Sequence, residues 1–182
     1  MYAEKLTPEE TKNIVECTGL YKMVSTRPEL NGNHDCKEHE QIVNVINTQT
    51  NKPAVITLTD YEISNISDKR ESVYESRFAI LNRSHNARKI NRELIKTYVQ
   101  KHGGDYVSNA RRHRENCRKF NQYNIETSKL ILTNLNYSDK KAKDIELITA
   151  HNRKIIEKYS KYMELEKSML SELEEAYSES SR

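Results

Sequence analysis

The distribution of proline and glycine limits the fold of this chain more than any other feature. All three Pro and two of the four Gly lie within residues 1–53, and the other two Gly are adjacent, at Gly103 and Gly104. The segment from Asp105 to Arg182 contains no Pro and no Gly. Because Pro and Gly are the residues that most often interrupt helices and strands, the sequence predicts an irregular N-terminal third followed by long helices.

The N-terminal third has the pattern of a small α+β unit. Thr7-Pro8-Glu9-Glu10 is typical of a capped helix start, and we expect this helix to end near Gly19. β-branched residues at 42–48 and 54–59, separated by a polar connection, predict a β-hairpin. Since two strands alone are only marginally stable, a short strand over residues 20–25 is expected to join them. Residues 26–39 are predicted to form a loop.

The remainder predicts three long helices. The first begins at a Ser67-Asp68 cap and ends near His102, the second covers residues 105–135, and the third covers residues 139–177. The apolar stripe of the second is thin, and it includes Phe120 and Ile131. In the third helix, apolar residues recur every seven positions on a wide face, which is typical of a helix in a bundle.

These patterns predict a mostly α (α+β) fold. Three long antiparallel helices follow a small N-terminal unit of one helix and a β-hairpin. The predicted divisions are residues 1–66 for the N-terminal unit, 67–178 for the helical bundle and 179–182 for a frayed tail.

Charge is concentrated in the middle of the chain. Residues 77–137 contain 13 Lys or Arg and 4 Asp or Glu, whereas both flanking segments are slightly acidic. Such a segment favours a polyanionic partner, most often nucleic acid, although it also fits an acidic protein surface or a solvated helical face. Gly103 and Gly104 would fold two basic helical stretches against each other. The residues expected to contact phosphate are Arg83, Arg88, Lys89, Arg92, Lys96, Arg111, Arg112, Arg114, Arg118 and Lys119.

The third helix is predicted to mediate self-association. Its apolar face is rich in Tyr and Met, which are adaptable residues common at interfaces. The expected interface residues are Tyr159, Tyr162, Met163, Met169 and Leu173. The sequence thus predicts a non-enzymatic oligomer that binds DNA or RNA. The alternative is a structural or scaffold subunit of a viral particle or other assembly, which would use the basic face and the third helix for protein contacts.

Catalytic and metal chemistry have little support in the sequence. Cys17, His34, Cys36 and His39 are zinc-type ligands, but their spacing matches no familiar zinc finger, so neither a metal nor a cofactor is expected. No Cys has the neighbours of a nucleophile. The chain has no apolar run of about 18 residues, no apolar signal core and irregularly spaced Cys. We therefore expect a cytoplasmic or nuclear protein that is not secreted and does not contact a membrane.

Overall fold

The computed structural model describes residues 6–30, 39–67, 85–135 and 139–180. Within them the fold is mostly helical and of the α+β type. The elements in chain order are α1 (Pro8–Val15), β1 (Tyr21–Leu30), β2 (His39–Asn47), β3 (Pro53–Leu58), β4 (Ile63–Ser67), α2 (His85–His102), α3 (Gly104–Leu135) and α4 (Ala142–Ser180).

Helix α1 begins where the sequence predicts. The Thr7 hydroxyl accepts a hydrogen bond from the Glu10 backbone N–H at 3.1 Å, and the Glu10 carboxylate accepts one from the Thr7 N–H at 2.9 Å. This reciprocal capping satisfies two backbone donors that the helix itself leaves open. After the helix, Gly19 has a φ of 75°, a left-handed conformation that suits glycine.

The four strands form an antiparallel sheet in the order β1-β2-β3-β4. The predicted hairpin is confirmed as β2 and β3, and the predicted third strand pairs with β2. The prediction of a loop over residues 26–39 is wrong at both ends, because residues 26–30 of β1 pair with residues 39–43 of β2. Pro28 is compatible with this strand because β1 is at a sheet edge, where alternate backbone N–H groups have no neighbouring strand to bond.

Strand β4 was not predicted. It pairs with β3 and carries Ser64 and Asn65, so its sequence lacks a continuous β-branched run. A contact distant in sequence helps to hold it: the Ile63 backbone N–H donates to the Asn91 side-chain oxygen at 3.0 Å, and Asn91 lies on α2. Local pattern alone could not reveal this strand, since its partners are β3 and a helix that begins 18 residues later.

The hydrophobic core of this region lies between one face of the sheet and helices α1 and α2. Alternate residues of β3 are buried, as expected for a sheet with one covered face. In β2 the buried residues are Ile42, Val43 and Val45. Helix α1 contacts β1 and α2, and α2 also contacts β4. The fully buried side chains here include Ile14, Val15, Val43, Val45, Ile56, Leu58, Ile63, Ile90 and Leu94.

Gly103 separates α2 from α3. Its φ is 58°, so the break depends on a residue that tolerates the left-handed region. On either side of it, the rings of Tyr98 and Tyr106 stack with centroids 5.0 Å apart, and the Tyr106 hydroxyl donates to the Asp60 carbonyl at 2.8 Å. The predicted helix end at His102 is confirmed, whereas the predicted start at Ser67-Asp68 leads into residues outside the described ranges.

The chain divides into two compact units. The first, unit 1, contains residues 1–110 and 172–182, and the second, unit 2, contains residues 111–171. The predicted boundary at residue 66 falls inside unit 1. None of the helices described combines the length and the apolar character needed to cross a membrane.

Candidate nucleic-acid interface

Helix α2 carries a row of exposed cations within unit 1. Lys89, Arg92 and Lys96 follow one another at steps of three and four residues, so they share one side of the helix. Carboxylates already balance part of this charge. Glu172 accepts from Arg92 at 3.3 Å and from the half-buried Arg88 at 2.7 Å, and the Lys96 ammonium lies 4.0 Å from a Glu93 oxygen. Arg83 lies outside the described residues.

The predicted phosphate contacts on α3 differ in their environments. Arg111, Arg112 and Lys119 are exposed. Arg118 is also exposed, but it makes two hydrogen bonds to Glu115, at 2.6 and 2.9 Å. The hydrogen bond from Arg118 lowers the pKa of Glu115, so the two charges stay paired at neutral pH. Phosphate would have to compete with Glu115 for this arginine.

Arg114 is buried rather than exposed. Its side chain is 5% exposed and donates a hydrogen bond at 2.8 Å to Glu166 on α4. The Glu166 side chain is 3% exposed. The second Glu166 oxygen has no hydrogen-bond partner among the described residues. A guanidinium held in this position is unavailable to phosphate, so Arg114 is a structural residue of unit 2 instead of a surface contact.

In unit 2, α3 and α4 run in opposite directions. Arg114 meets Glu166, and the ring of Phe120 meets that of Tyr159 at 6.1 Å, edge to face. Later residues of α3 therefore lie beside earlier residues of α4. Nearer the end of α3 and the start of α4, both helices line a groove of about 490 Å³ whose lining contains no Asp, Glu, Lys or Arg. Its lining residues are Asn124, Thr127, Ser128, Ile131, Leu147, Ile148, His151, Asn152 and Ile155.

The glutamates of unit 2 are distributed unevenly. Of six, Glu166 is buried and the other five are exposed. At 3.6 residues per turn, these five lie roughly 150–170° around their helices from the centre of the groove lining. They therefore share the opposite side of the hairpin. They are Glu115 and Glu126 on α3, and Glu146, Glu157 and Glu164 on α4.

The side that contains the groove has no glutamate. Along α4 it carries no acidic residue from Leu147 to Tyr162, and Asp144 lies beyond it near the helix start. We call this side the acid-free face. Its members are Arg112, Phe120, Tyr123 and Ile131 on α3, and Leu147, His151, Lys154, Lys158 and Tyr162 on α4. Lys119 lies outside this face, one helical turn from Glu115.

Aromatic rings and cations meet on the acid-free face. Phe120 is 57% exposed and Tyr123 is 68% exposed. On α4, Tyr159 and Tyr162 pack edge to face at 5.5 Å, and the Lys158 ammonium lies 5.5 and 5.8 Å from their ring centroids. These distances fall in the range of cation–π attraction. The face thus combines accessible ring surface with fixed positive charge.

Two of these observations correct the sequence analysis. Phe120 and Ile131 were assigned to the apolar stripe of their helix, yet both are exposed. The core side of α3 instead holds Arg114, Asn121, Ile125 and Ser128. A thin stripe makes such errors easy, because few apolar residues define its centre and buried polar residues go unrecognised.

The predicted interface residues of α4 divide into two groups. Met169 and Leu173 are buried within a single chain, so they offer little surface to another molecule. Tyr159, Tyr162 and Met163 are half-buried. Their role in self-association remains a prediction.

The four candidate zinc ligands are not brought together by any described contact. Cys17 is exposed with a free thiol, His34 and Cys36 lie outside the described ranges, and of His39 only the backbone is described. Among the described residues, no three of the metal-binding types converge.

Sequence reasoning missed Phe120, Tyr123, Lys154 and Lys158 as site candidates. A signal was present: Lys119, Phe120 and Tyr123 lie within one turn of each other on a helix whose apolar stripe is too thin to bury two more aromatics. The contribution of α4 had no comparable signal, because its lysines belong to a segment without net positive charge.

Comparison with protein-family models, curated proteins and solved structures finds no match to this chain.

Proposed function

We propose that this chain is a non-enzymatic nucleic-acid-binding protein and that the acid-free face of unit 2 contacts the phosphate backbone. The supporting observation is the separation of charge in unit 2, where every exposed glutamate lies on the opposite side. The glutamates nearest to Arg112 and Lys154 are Glu115 and Glu157, and these form ion pairs with Arg118 and Lys161. The charges of Arg112 and Lys154 therefore stay available to attract phosphate. The proposal retains the predicted antiparallel arrangement of all three long helices.

Three cations on this face carry the expected phosphate contacts. Arg112 and Lys154 are exposed, and Lys158 is half-buried beside the tyrosine rings. If all three bind phosphate, log K should fall with log salt at a slope of about −2.5. A fourfold rise in salt would then weaken binding by roughly 30-fold.

The test compares two double variants with the same change in net charge. Arg112→Gln/Lys154→Gln removes cations from the acid-free face. Lys129→Gln/Arg153→Gln removes two exposed cations from the opposite side. Binding of labelled DNA and RNA oligonucleotides is measured by fluorescence anisotropy over a salt series.

The first variant should lose at least fivefold in affinity at low salt, and its salt slope should become shallower by about 1.5. The second should change affinity by less than about threefold, since its cations lie on the other side of the hairpin. Equal losses in both variants would show that only net charge matters and would refute this face as the site. Absence of DNA and RNA binding at low salt would refute the function. Binding of polyglutamate in their place would identify an acidic protein as the partner class.

A second candidate, a scaffold subunit that assembles through protein contacts, is favoured by the uncharged groove. Leu130 and Leu147, at its edges, are 61% and 63% exposed, and exposed apolar patches often mark protein interfaces. Sedimentation of protein freed of nucleic acid separates the candidates. A large discrete oligomer that Leu130→Gln/Leu147→Gln converts to monomer supports the scaffold, and a monomer at every concentration excludes assembly by this chain alone.

A further inference from the structure

We infer that the acid-free face selects single-stranded over double-stranded nucleic acid, with Phe120 and Tyr123 as platforms on which bases stack. The inference rests on the proposed function and specifies its ligand. The two residues are three positions apart on α3, so their rings lie on the same side of the helix. Both expose more than half of their surface, which leaves ring area free for contact with a base.

The surroundings of these rings suit a single strand. Arg112 lies on the same side of α3 as Tyr123, about three turns before it. Across the hairpin, Phe120 contacts Tyr159, whose ring also lies near the Lys158 ammonium. Cations therefore flank the aromatic cluster from both helices. A single strand can place bases on the rings while its phosphates lie on these cations, the combination that non-specific single-strand binders use.

A duplex cannot use the same surface fully. Its bases already stack on each other, so ring contact would require unstacking at a cost of a few kcal/mol per step. The cations remain available to duplex phosphates, however, so weak and salt-sensitive duplex binding is expected. The rings, and not the charges, should therefore determine the preference for single strands.

An acidic protein is a less suitable occupant. Carboxylates would satisfy the cations, but they leave exposed aromatic rings without a matching flat partner. Nucleobases provide such a partner for every ring, independent of sequence, because each base has a π face.

The experiment measures the affinity of the full chain for a labelled DNA strand of about 16 nucleotides, the upper end of site sizes for single-strand binding domains, and for its duplex. Phe120→Ala and Tyr123→Ala are tested singly and together. Leu130→Ala is the matched control, since it removes an exposed apolar side chain from the same helix outside the aromatic cluster. Tyr123→Phe keeps the ring and removes only the hydroxyl. Circular dichroism checks that each variant remains folded.

We expect each ring removal to weaken single-strand binding by about 5- to 100-fold while leaving duplex affinity and the salt slope unchanged. Leu130→Ala and Tyr123→Phe should bind like the parent. The chain has no Trp, so tyrosine emission is a direct second measure, and the strand should quench it less in Tyr123→Ala.

Several outcomes would overturn the inference. If the parent binds strand and duplex equally, or if the double ring variant keeps its single-strand affinity, the rings do not select the ligand, although the charge-dependent function stands. If neither nucleic acid binds at low salt, both the inference and the function fail. Loss of duplex binding in the ring variants would indicate a general structural defect and would also contradict it.

Discussion

The buried ion pair between Arg114 and Glu166 allows a direct test of how unit 2 is stabilised. The pair joins α3 to α4 at 2.8 Å, with both side chains at least 95% buried. One Glu166 oxygen has no hydrogen-bond partner among the described residues. The perturbation is the replacement of each residue by Met, singly and together, because Met has similar length and suits an apolar interior.

The magnitudes follow from the burial. Removing one partner takes the counterion from a charge held in the interior, which typically costs about 3–5 kcal/mol. That is a factor of more than 100 in the equilibrium between closed and open hairpin. Replacing both partners removes the two desolvation penalties as well as the attraction, so the double variant should lie within about 1 kcal/mol of the parent or be more stable. The coupling energy between the two sites should then exceed about 3 kcal/mol.

The assay is hydrogen exchange of the α3 backbone amides together with urea unfolding followed by far-ultraviolet circular dichroism. Exchange reports the opening of the hairpin even if the two units unfold separately. The matched control is the exposed pair Arg118 and Glu115 on the same helix, whose replacement by Met should leave exchange in the surrounding turns unchanged. If the double Arg114/Glu166 variant loses as much free energy of unfolding as the two single variants combined, the reasoning from desolvation is refuted. Single variants that cost less than about 1 kcal/mol would show that the pair is not buried in solution.

Two further predictions concern unit 1. Gly103→Ala should lower the free energy of unfolding of unit 1 by about 1 kcal/mol, because φ is 58° and alanine is strained there. No neighbouring atom obstructs a Cβ at this position, so no steric clash adds to that cost. Gly104→Ala, in an ordinary helical position, should change the stability little, and equal losses in thermal unfolding would contradict the conformational explanation. Burial raises the pKa of Glu10, but hydrogen bonds from Thr7 and the ammonium of Lys101 outweigh it, and the net pKa is lowered. Unit 1 should therefore lose stability as pH falls below the ordinary glutamate pKa of about 4.3 and through the lower folded value. In Glu10→Gln this loss should be smaller. If the dependence of unfolding stability on pH is the same in the variant and the parent, Glu10 does not contribute to it.

Local sequence signals predicted the helices and the central hairpin. The cap at Thr7, the helix end at His102 and the β-branched runs of β2 and β3 all depend on residues a few positions apart, so a single sequence contains the necessary information. Strand β4 was missed because its stability comes from β3 and from Asn91 on a later helix. The extension of β1 to Leu30 was missed for a similar reason, since only its pairing with β2 overrides the signal of Pro28.

The candidate site was less predictable than the fold. The sequence correctly indicated that cations concentrate on α2 and α3, but it could not show which of them remain available. Arg114 and Arg118 have similar local surroundings in the sequence, yet one is buried against Glu166 and the other forms an exposed pair with Glu115. Lys154 and Lys158 belong to a segment without net positive charge, and only the antiparallel pairing of α3 with α4 places them on the same face as Phe120.

The sequence by itself determined where the helix ends and the central hairpin form, because capping, glycine breaks and β-branched runs act over a few residues. It also determined that Asp105 to Arg182 would be free of Pro and Gly interruptions. Only the tertiary structure decided which charges are neutralised and which rings are exposed. Those outcomes depend on residues such as Arg114 and Glu166, 52 positions apart, whose contact arises from the packing of two whole helices.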